Sequence, residues 1–363
     1  MSEITRQQVL AALSHVNDPD LNKDLVTLNM VKNIAIDGNK VSFTVELTTP
    51  ACPMKDLIQN ACINAIKHFI SKDAEVQATM GARVTTLREG ASVLPTVKNI
   101  IAVASGKGGV GKSTISSNLA LSLAAQGAKV GLLDADIYGP SIPTLFGCTD
   151  QAPDSREENG RSIMIPIEKY GVKLLSIGFM VQPGQAVVWR GPMVSSAMRQ
   201  FVNDVDWGEL DYLIIDLPPG TGDIHLTMAQ IVPVTGVVIV TTPQEVALAD
   251  ARKAIGMFNI QGITLPIIGL VENMAYFIPP DDETKKYYIF GQDGGKQLAR
   301  EYGLPFLGEI PLVQTIREAG DEGVALKAKD APTAQAFTRF AELAAQQIAI
   351  LNSQTQTNAA AQS

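Results

Sequence analysis

The chain has 363 residues, of which 46% are hydrophobic and 18% charged, a composition typical of a globular protein with about two domains. Its 37 acidic residues outnumber 29 basic residues and give a net charge of −8, which argues against a generally basic nucleic-acid-binding surface. Three cysteines are too few for a disulfide framework. The start of the chain lacks the pattern of a signal peptide, and the longest apolar stretch, near 231–240, is too short to span a membrane. We therefore expect a cytoplasmic protein that binds neither nucleic acid nor membrane.

The first part of the chain, residues 1–84, predicts a small α+β domain. An amphipathic helix is followed by alternating apolar residues on either side of a turn at Asp37, which is the pattern of a hairpin. Pro53 is expected to open a second helix, and a last strand is expected near 76–84. Residues 85–97 lose this patterning and are interpreted as a linker.

The pattern changes at residue 98. Short apolar, β-rich segments alternate with helical stretches through 98–351, which predicts an α/β fold with a mainly parallel sheet and helices on both faces. The polar stretch 151–161 has no periodicity and is expected to be a loop or an insertion. A closing amphipathic helix is expected beyond Pro332, and the polar, Ala-rich tail 352–363 is expected to be disordered.

A glycine-rich segment between the first of these strands and its helix matches G-x-x-x-x-G-K-[ST]. Such a P-loop wraps backbone N–H groups around phosphate oxygens at the positive end of a helix. Lys112 is expected to reach the β- and γ-phosphates of ATP, and the Ser113 hydroxyl is expected to bind Mg²⁺. The predicted nucleotide-binding residues are Gly106, Lys107, Gly108, Gly109, Val110, Gly111, Lys112, Ser113 and Thr114.

The same segment allows two other interpretations. Gly106, Gly108 and Gly111 also satisfy G-x-G-x-x-G, and Asp134 lies near the offset at which a dinucleotide fold binds ribose. The Lys112 that follows these glycines, together with the next serine, favours the P-loop, since a hydride-transfer fold needs neither residue there. A glycine-rich connection without a ligand is the remaining alternative.

Three aspartates follow predicted strands. Asp216 ends the apolar segment YLIID, and Asp134 and Asp136 follow the segment KVGLL. The carboxyl ends of parallel strands form the ligand-binding edge of such sheets, where acids can hold Mg²⁺ through water or orient an attacking water. Taken without the P-loop, Asp134 and Asp136 would be equally well explained as solvated turn residues.

The sequence resembles a known family in several motifs that occur in one order. These are GKGGVGKS, LLDADIYGPSIP, WRGPM, YLIIDLPPGTGD and VENM. They resemble the Mrp/ApbC family of iron–sulfur cluster carrier ATPases, and Lys107 resembles the extra lysine of the MinD/ParA class. The N-terminal unit, notably TTPACP at 48–53, is similar to the small iron–sulfur assembly domain often fused to this family.

The resemblance implies a homodimer that hydrolyses ATP slowly with Mg²⁺ and exchanges clusters with iron–sulfur apoproteins or assembly factors. It implies that Lys107 reaches the partner subunit's nucleotide and that Asp136 orients the attacking water. It also places Asp134 and Asp216 around Mg²⁺ and Asn273, in VENM, against the adenine.

The chain departs from that family in one respect. Members usually carry a Cys-x-x-Cys shortly after the VENM-like segment, but this chain reads ENMAYFIPPDDETKKYYIFG there. Cluster ligands are usually thiolates, so any cluster would use Cys52, Cys62 or Cys148. We expect Cys52 to be the best candidate because a nearby helix N-terminus would favour its thiolate, although a packed cysteine is an equally good interpretation.

The leading functional interpretation is an ATPase that binds and transfers iron–sulfur clusters. The absent Cys-x-x-Cys motif favours an alternative, a dimeric interaction or scaffold protein that is switched by ATP and binds no cluster. A nicotinamide-dependent oxidoreductase rests only on the glycine spacing.

Overall fold

The structure is a computed structural model that describes residues 4–158, 160–180, 191–260, 264–282, 284–324 and 331–362. The chain divides into two compact units. The first contains Met1–Leu87 together with Ala349–Ser363, and the second contains Arg88–Ile348. None of the helices in the described ranges is long and apolar enough to cross a membrane.

The first unit is an α+β arrangement around a three-stranded sheet. Its elements are α1 (Arg6–Leu13), β1 (Asn17–Asp18), β2 (Lys23–Asp24), β3 (Val31–Asp37), β4 (Lys40–Leu47), α2 (Lys55–Phe69) and β5 (Glu75–Ala82). The order in the sheet is β3-β4-β5, with β3 antiparallel and β5 parallel to β4. Every second side chain of β4 is buried, since a strand with one covered face alternates between core and solvent.

The second unit contains the P-loop segment. Its elements in chain order are β6 (Val97–Ala104), α3 (Lys112–Ala125), β7 (Val130–Asp134), α4 (Ile142–Leu145), β8 (Asp154–Glu158), β9 (Arg161–Ile165), β10 (Ile167–Lys169), β11 (Val172–Ser176), α5 (Gly191–Asn203), β12 (Leu210–Asp216), α6 (Asp223–Ile231), β13 (Gly236–Thr241), α7 (Glu245–Phe258), β14 (Ile267–Glu272), α8 (Gly294–Glu301), β15 (Phe306–Glu309), α9 (Gln314–Glu322) and α10 (Ala331–Gln362). The residues of α10 from Ala349 onward belong to the first unit.

An eight-stranded sheet organises this unit in the order β10-β11-β7-β12-β6-β13-β14-β15. All neighbouring pairs are parallel except β10 with β11. Strands β12 and β13 are buried along nearly their whole length, which requires cover on both faces. The predicted α/β class, with a mainly parallel sheet between helices, is confirmed.

The central strands bring the predicted site residues to one edge. β6, β7 and β12 are adjacent and parallel, and Asp134 pairs in register with Asp216. The P-loop follows β6 directly, so the loop and both aspartates share the carboxyl edge of the sheet, where α/β proteins bind ligands.

The structure differs from the sequence-based expectations at three places. The stretch 151–161 was expected to be a loop or an insertion, and in the structure it contains β8, which pairs with β9 as an antiparallel hairpin. All five side chains of β8 are exposed, so backbone pairing forms this strand without an apolar pattern, and Arg156 adds an ion pair to Asp206 at 2.8 Å.

The tail 352–363 was expected to be disordered, but α10 continues to Gln362. Alanine and glutamine favour helix, and Asn352 is buried within the first unit, where its side-chain amide donates to the Thr85 carbonyl at 3.0 Å. The start of α2 also differs from the prediction, because Lys55 and not Pro53 is the first helical residue.

Candidate nucleotide site

The P-loop is shaped by glycines with left-handed backbone. Gly109 and Gly111 both have φ of +81°, a conformation that other L-residues adopt only at a cost. Gly111 is also the residue immediately before α3, so the loop delivers its backbone N–H groups to the positive end of that helix.

Close packing requires glycine at two further points of contact. A Cβ at Gly106 would overlap the backbone carbonyl of Asp250, and one at Gly111 would overlap the side-chain amide of Asn273. Asn273 is buried, and its Nδ2 donates to the Val110 carbonyl at 2.8 Å. The amide of Asn273 therefore supports the back of the P-loop in this structure.

Lys112, the first residue of α3, lies between two aspartates. Its Nζ is 2.9 Å from Asp216 Oδ2 and 3.4 Å from Asp136 Oδ2. Only 6% of its side chain is exposed, and Asp216 is completely buried. Buried charges need compensation, so the lysine and the two aspartates form one coupled group.

Asp216 also accepts two hydroxyl hydrogen bonds from α3. Ser113 Oγ donates to its Oδ2 and Ser116 Oγ donates to its Oδ1, each at 2.6 Å. Ser113 and Asp216 thus place a hydroxyl and a carboxylate oxygen side by side. Hard oxygen donors of this kind fit Mg²⁺, which is typically held by one or two protein groups and the phosphates of a nucleotide.

Asp134 is buried behind this group. Its carboxylate accepts hydrogen bonds from Ser176 Oγ at 2.9 Å and from the backbone N–H groups of Ile142 and Asp136, both at 3.1 Å. Burial, reinforced by the charge of Asp216, raises the pKa of Asp134 to about 7. In this structure Asp134 holds together the backbone that follows β7.

Asp136 is placed differently from Asp134, because it faces the open cleft. Burial is the main cause that raises its pKa, and the ammonium of Lys112 opposes that shift. The carboxylate of Asp136 forms an ion pair with Lys112 and also lines the cleft in front of the P-loop.

The cleft itself has a volume of about 290 Å³. Lys107 lies at its rim and is exposed, whereas Lys112 lies at its base. The lining residues are Ser105, Lys107, Gly108, Gly109, Gly111, Lys112, Ser113, Thr114, Asp136, Ser141, Leu145 and Pro219.

Sequence reasoning missed several residues that support the site. Ser116 lies three positions after Ser113, so helical spacing alone places both hydroxyls on one face of α3. Ser176, which binds Asp134 from β11, and His225, which contacts the loop after Asp216, give no local signal in the sequence.

The three cysteines differ in how far they are buried. Cys62 and Cys148 are buried, and burial raises the pKa of both thiols, to about 12 for Cys62. Cys52 is partly exposed, and its carbonyl accepts the N–H of Lys55 at the start of α2. Within the described ranges no group of three or more His, Cys, Asp or Glu side chains could hold a metal ion.

Comparison with known families matches both parts of the chain. Residues 96–346 match a family model described as the NUBPL iron-transfer P-loop NTPase, and residues 6–78 match one described as an iron–sulfur cluster assembly protein. These matches confirm the resemblance inferred from the motifs.

Individual relatives agree with the family models. The chain is 46% identical to an iron–sulfur cluster carrier protein from Synechocystis over 93% of its own length and 96% of the relative's. It is 47% identical to the carrier from Deinococcus radiodurans, over 94% and 95% of the two chains.

Among solved structures, a nucleotide-binding protein from Archaeoglobus fulgidus in complex with ADP is 41% identical, with a TM-score of 0.57. The match covers 65% of this chain and 90% of that one. From the family matches and these relatives, the chain belongs to the family of iron-transfer P-loop NTPases.

Proposed function

We propose that this protein binds ATP·Mg²⁺ in the cleft, hydrolyses it slowly, and carries iron–sulfur clusters to apoproteins. The observation that carries the ATPase part is the convergence of Lys112, Ser113, Asp136 and Asp216 in front of the α3 N-terminus. A cation, a hydroxyl and two carboxylates at a P-loop are the groups that phosphoryl transfer requires.

The residues have separate tasks in this proposal. The backbone N–H groups of Gly106–Thr114 hold the phosphates, and Lys112 turns from the two aspartates toward the β- and γ-phosphates. Ser113 and Asp216 would hold Mg²⁺, with Asp134 acting through water, and the metal would neutralise charge on the phosphates. Asp136 orients the attacking water, because its carboxylate lines the cleft.

Asn273 is proposed to lie near the adenine. It is the first residue after β14, and its amide already contacts the P-loop at Val110. A base bound beside that loop would therefore lie next to Asn273.

Lys107 supports a homodimeric mechanism. The residue is exposed at the rim of the cleft while Lys112 occupies the base. We infer that Lys107 acts on the nucleotide of the partner subunit, so that two protomers complete each other's sites. Dimerisation would then couple the nucleotide state to cluster exchange.

The cluster part of the proposal is supported by relatives that are named iron–sulfur cluster carriers. Among the three cysteines, Cys52 alone is partly exposed, and two copies in a dimer supply two thiolates. A cluster usually takes four, so binding should be transient, with ligands completed by small molecules, assembly factors or the apoprotein. We propose a cytoplasmic location, in keeping with the small number of cysteines.

The ATPase part is tested with Lys112→Ala and a matched control. Removing the ammonium should abolish hydrolysis. The control Lys129→Ala removes an exposed lysine that pairs with the exposed Glu209, and it should hydrolyse ATP as wild type does. Phosphate release is measured with Mg·ATP after circular dichroism has shown that each variant is folded. Unchanged hydrolysis in folded Lys112→Ala, or binding of NAD without binding of ATP, would contradict the assignment.

A further inference from the structure

The loop after β12 connects the buried Asp216 to helix α6 and passes beside the cleft. Pro219, in the middle of this loop, lines the cleft, and His225 follows it in α6. His225 is 1% exposed. A buried imidazole needs partners for its polar atoms.

Both ring nitrogens of His225 face carbonyl groups of this loop. Nε2 lies 2.9 Å from the Pro218 oxygen, and Nδ1 lies 3.3 Å from the Gly222 oxygen. An imidazole carries at least one N–H. Burial lowers the pKa of His225, and its contacts with the two backbone carbonyls oppose that shift. The shorter contact assigns the proton to Nε2, which donates to the Pro218 carbonyl.

The opposite side of the same loop is bonded to the P-loop strand. The Gly220 N–H donates to the Ser105 carbonyl at 2.8 Å, and the Ser105 hydroxyl donates to the Lys107 carbonyl at 3.0 Å. A continuous set of hydrogen bonds therefore runs from His225 through the loop to the backbone of Lys107. Pro218 and Pro219 lack N–H donors, so neither can hold the loop through a hydrogen bond from its own backbone nitrogen.

We infer that His225 is a positioning residue for the proposed hydrolysis: its imidazole fixes the 218–222 loop so that the loop and the P-loop keep one arrangement around the cleft. The expected effect of His225 on turnover rests on the proposed function. Its expected effect on the position of the 218–222 loop does not.

The effect on catalysis should fall on turnover rather than on nucleotide affinity. The phosphate-holding N–H groups belong to the P-loop and keep their own geometry, including the Asn273 contact at Val110. The 218–222 loop instead follows Asp216 and borders the same cleft as Asp136. Loss of its fixed position should therefore reduce kcat and leave ADP affinity nearly unchanged.

The experiment compares His225→Leu with His225→Gln in the full-length chain. Leucine removes the donor, whereas the glutamine amide can place an N–H near the position of Nε2. Phe258→Leu is the packing control, because Phe258 lies edge-on to the His225 ring at 6.4 Å and makes no hydrogen bond to the loop. We measure kcat, KM, ADP affinity and, without nucleotide, the hydrogen exchange of the Gly220 amide.

A lost hydrogen bond of about 1.4 kcal/mol corresponds to a tenfold change. In His225→Leu we expect about tenfold faster Gly220 exchange and about tenfold lower kcat, with ADP affinity within about twofold of wild type. His225→Gln should restore most of both, and Phe258→Leu should change neither. Wild-type exchange in His225→Leu, or equal defects in folded Leu and Gln variants, would overturn the inference. A wild-type chain without ATPase activity would contradict the proposed function, while the exchange measurement would still decide the role of His225 in the loop.

Discussion

The ammonium of Lys112 lies 2.9 Å from the carboxylate of Asp216, and both groups are almost completely buried. The lysine thus neutralises an aspartate at the place where a bound nucleotide would require it for phosphate. If phosphates replaced Asp216 as the partner of Lys112, the buried carboxylate would need another cation, such as Mg²⁺. Nucleotide binding and metal binding would therefore be linked at this site.

The first prediction concerns this ion pair. Lys112→Met should lower the free energy of unfolding by about 3–5 kcal/mol, because it leaves buried carboxylates without a cation. Adding Asp216→Asn should recover part of that loss, with a coupling energy of about 1–3 kcal/mol. Urea unfolding of the four proteins without nucleotide measures the cycle, and strictly additive losses would mean that the pair is not coupled.

The second prediction compares two glycines of the P-loop that have the same backbone conformation. Gly109→Ala should lower the free energy of unfolding by about 1 kcal/mol, the cost of a positive φ at a residue with a Cβ. No further cost is expected, because no atom lies within 4 Å of the added Cβ. Gly111→Ala must also displace the Asn273 amide from Val110, which adds about 1 kcal/mol or more. Thermal unfolding without nucleotide should therefore rank Gly111→Ala as the less stable variant, and equal stabilities would contradict the described contact.

The P-loop, the acids and the fold class could be predicted from the sequence because their signals are local. A glycine pattern followed by Lys112, and an acid at the end of an apolar strand such as Asp216, specify both chemistry and position along the chain. The sheet then brings the ends of β6, β7 and β12 together by a general rule of parallel strands.

The remaining features depend on contacts between distant segments. The burial of His225 requires the loop to fold back over it and α7 to supply Phe258, and the role of Asp134 requires Ser176 from β11. Strand β8 of the hairpin has no apolar alternation to detect. The contact of Asn352 in α10 with Thr85 joins two segments that are far apart in the sequence.

The third prediction concerns pH and Glu272. This residue ends β14, is 1% exposed and accepts the Gly295 N–H, and burial raises its pKa to about 7. Since the unfolded pKa is about 4.3, the folded chain binds the extra proton between these values. The contribution of this group to stability therefore falls as pH rises from about 4 to about 7, and it is constant above that window.

Glu272→Gln keeps an oxygen acceptor without titrating. Its stability relative to wild type should rise with pH by at most about 1.4 kcal/mol per pH unit across the window and then level off. Urea unfolding between pH 4 and 8 measures this difference, with Glu245→Gln as the control because that side chain is exposed. A difference that does not vary with pH would show that Glu272 keeps the same protonation in both states.

The fourth prediction concerns dimerisation. Lys107→Ala should bind nucleotide as wild type does but hydrolyse it poorly, because the lysine is proposed to act on the partner subunit's nucleotide. Mixing Lys107→Ala with Lys112→Ala protomers creates hybrids in which one site has both lysines and the other has neither. Hydrolysis should therefore reappear on mixing. No recovery in a mixture shown to form hybrids, or a monomer with and without ATP, would contradict the trans role.

The fifth prediction assigns the transient cluster to Cys52. Cys52→Ser should lose the iron that wild type retains after anaerobic reconstitution, while ATP hydrolysis is preserved. Cys62→Ser is the control, since burial raises the pKa of that thiol to about 12 and disfavours the thiolate. Undiminished iron in Cys52→Ser would show that other groups bind the cluster.

The central claim, that this P-loop NTPase carries iron–sulfur clusters, is tested most directly by cluster transfer. The chain is reconstituted anaerobically with iron and sulfide, separated from free iron, and mixed with an apoprotein that has an empty four-cysteine cluster site. We predict that iron and the visible absorption of a cluster move to the apoprotein. A chain that hydrolyses ATP but retains and transfers no iron would contradict the account and identify an ATP-switched interaction protein instead.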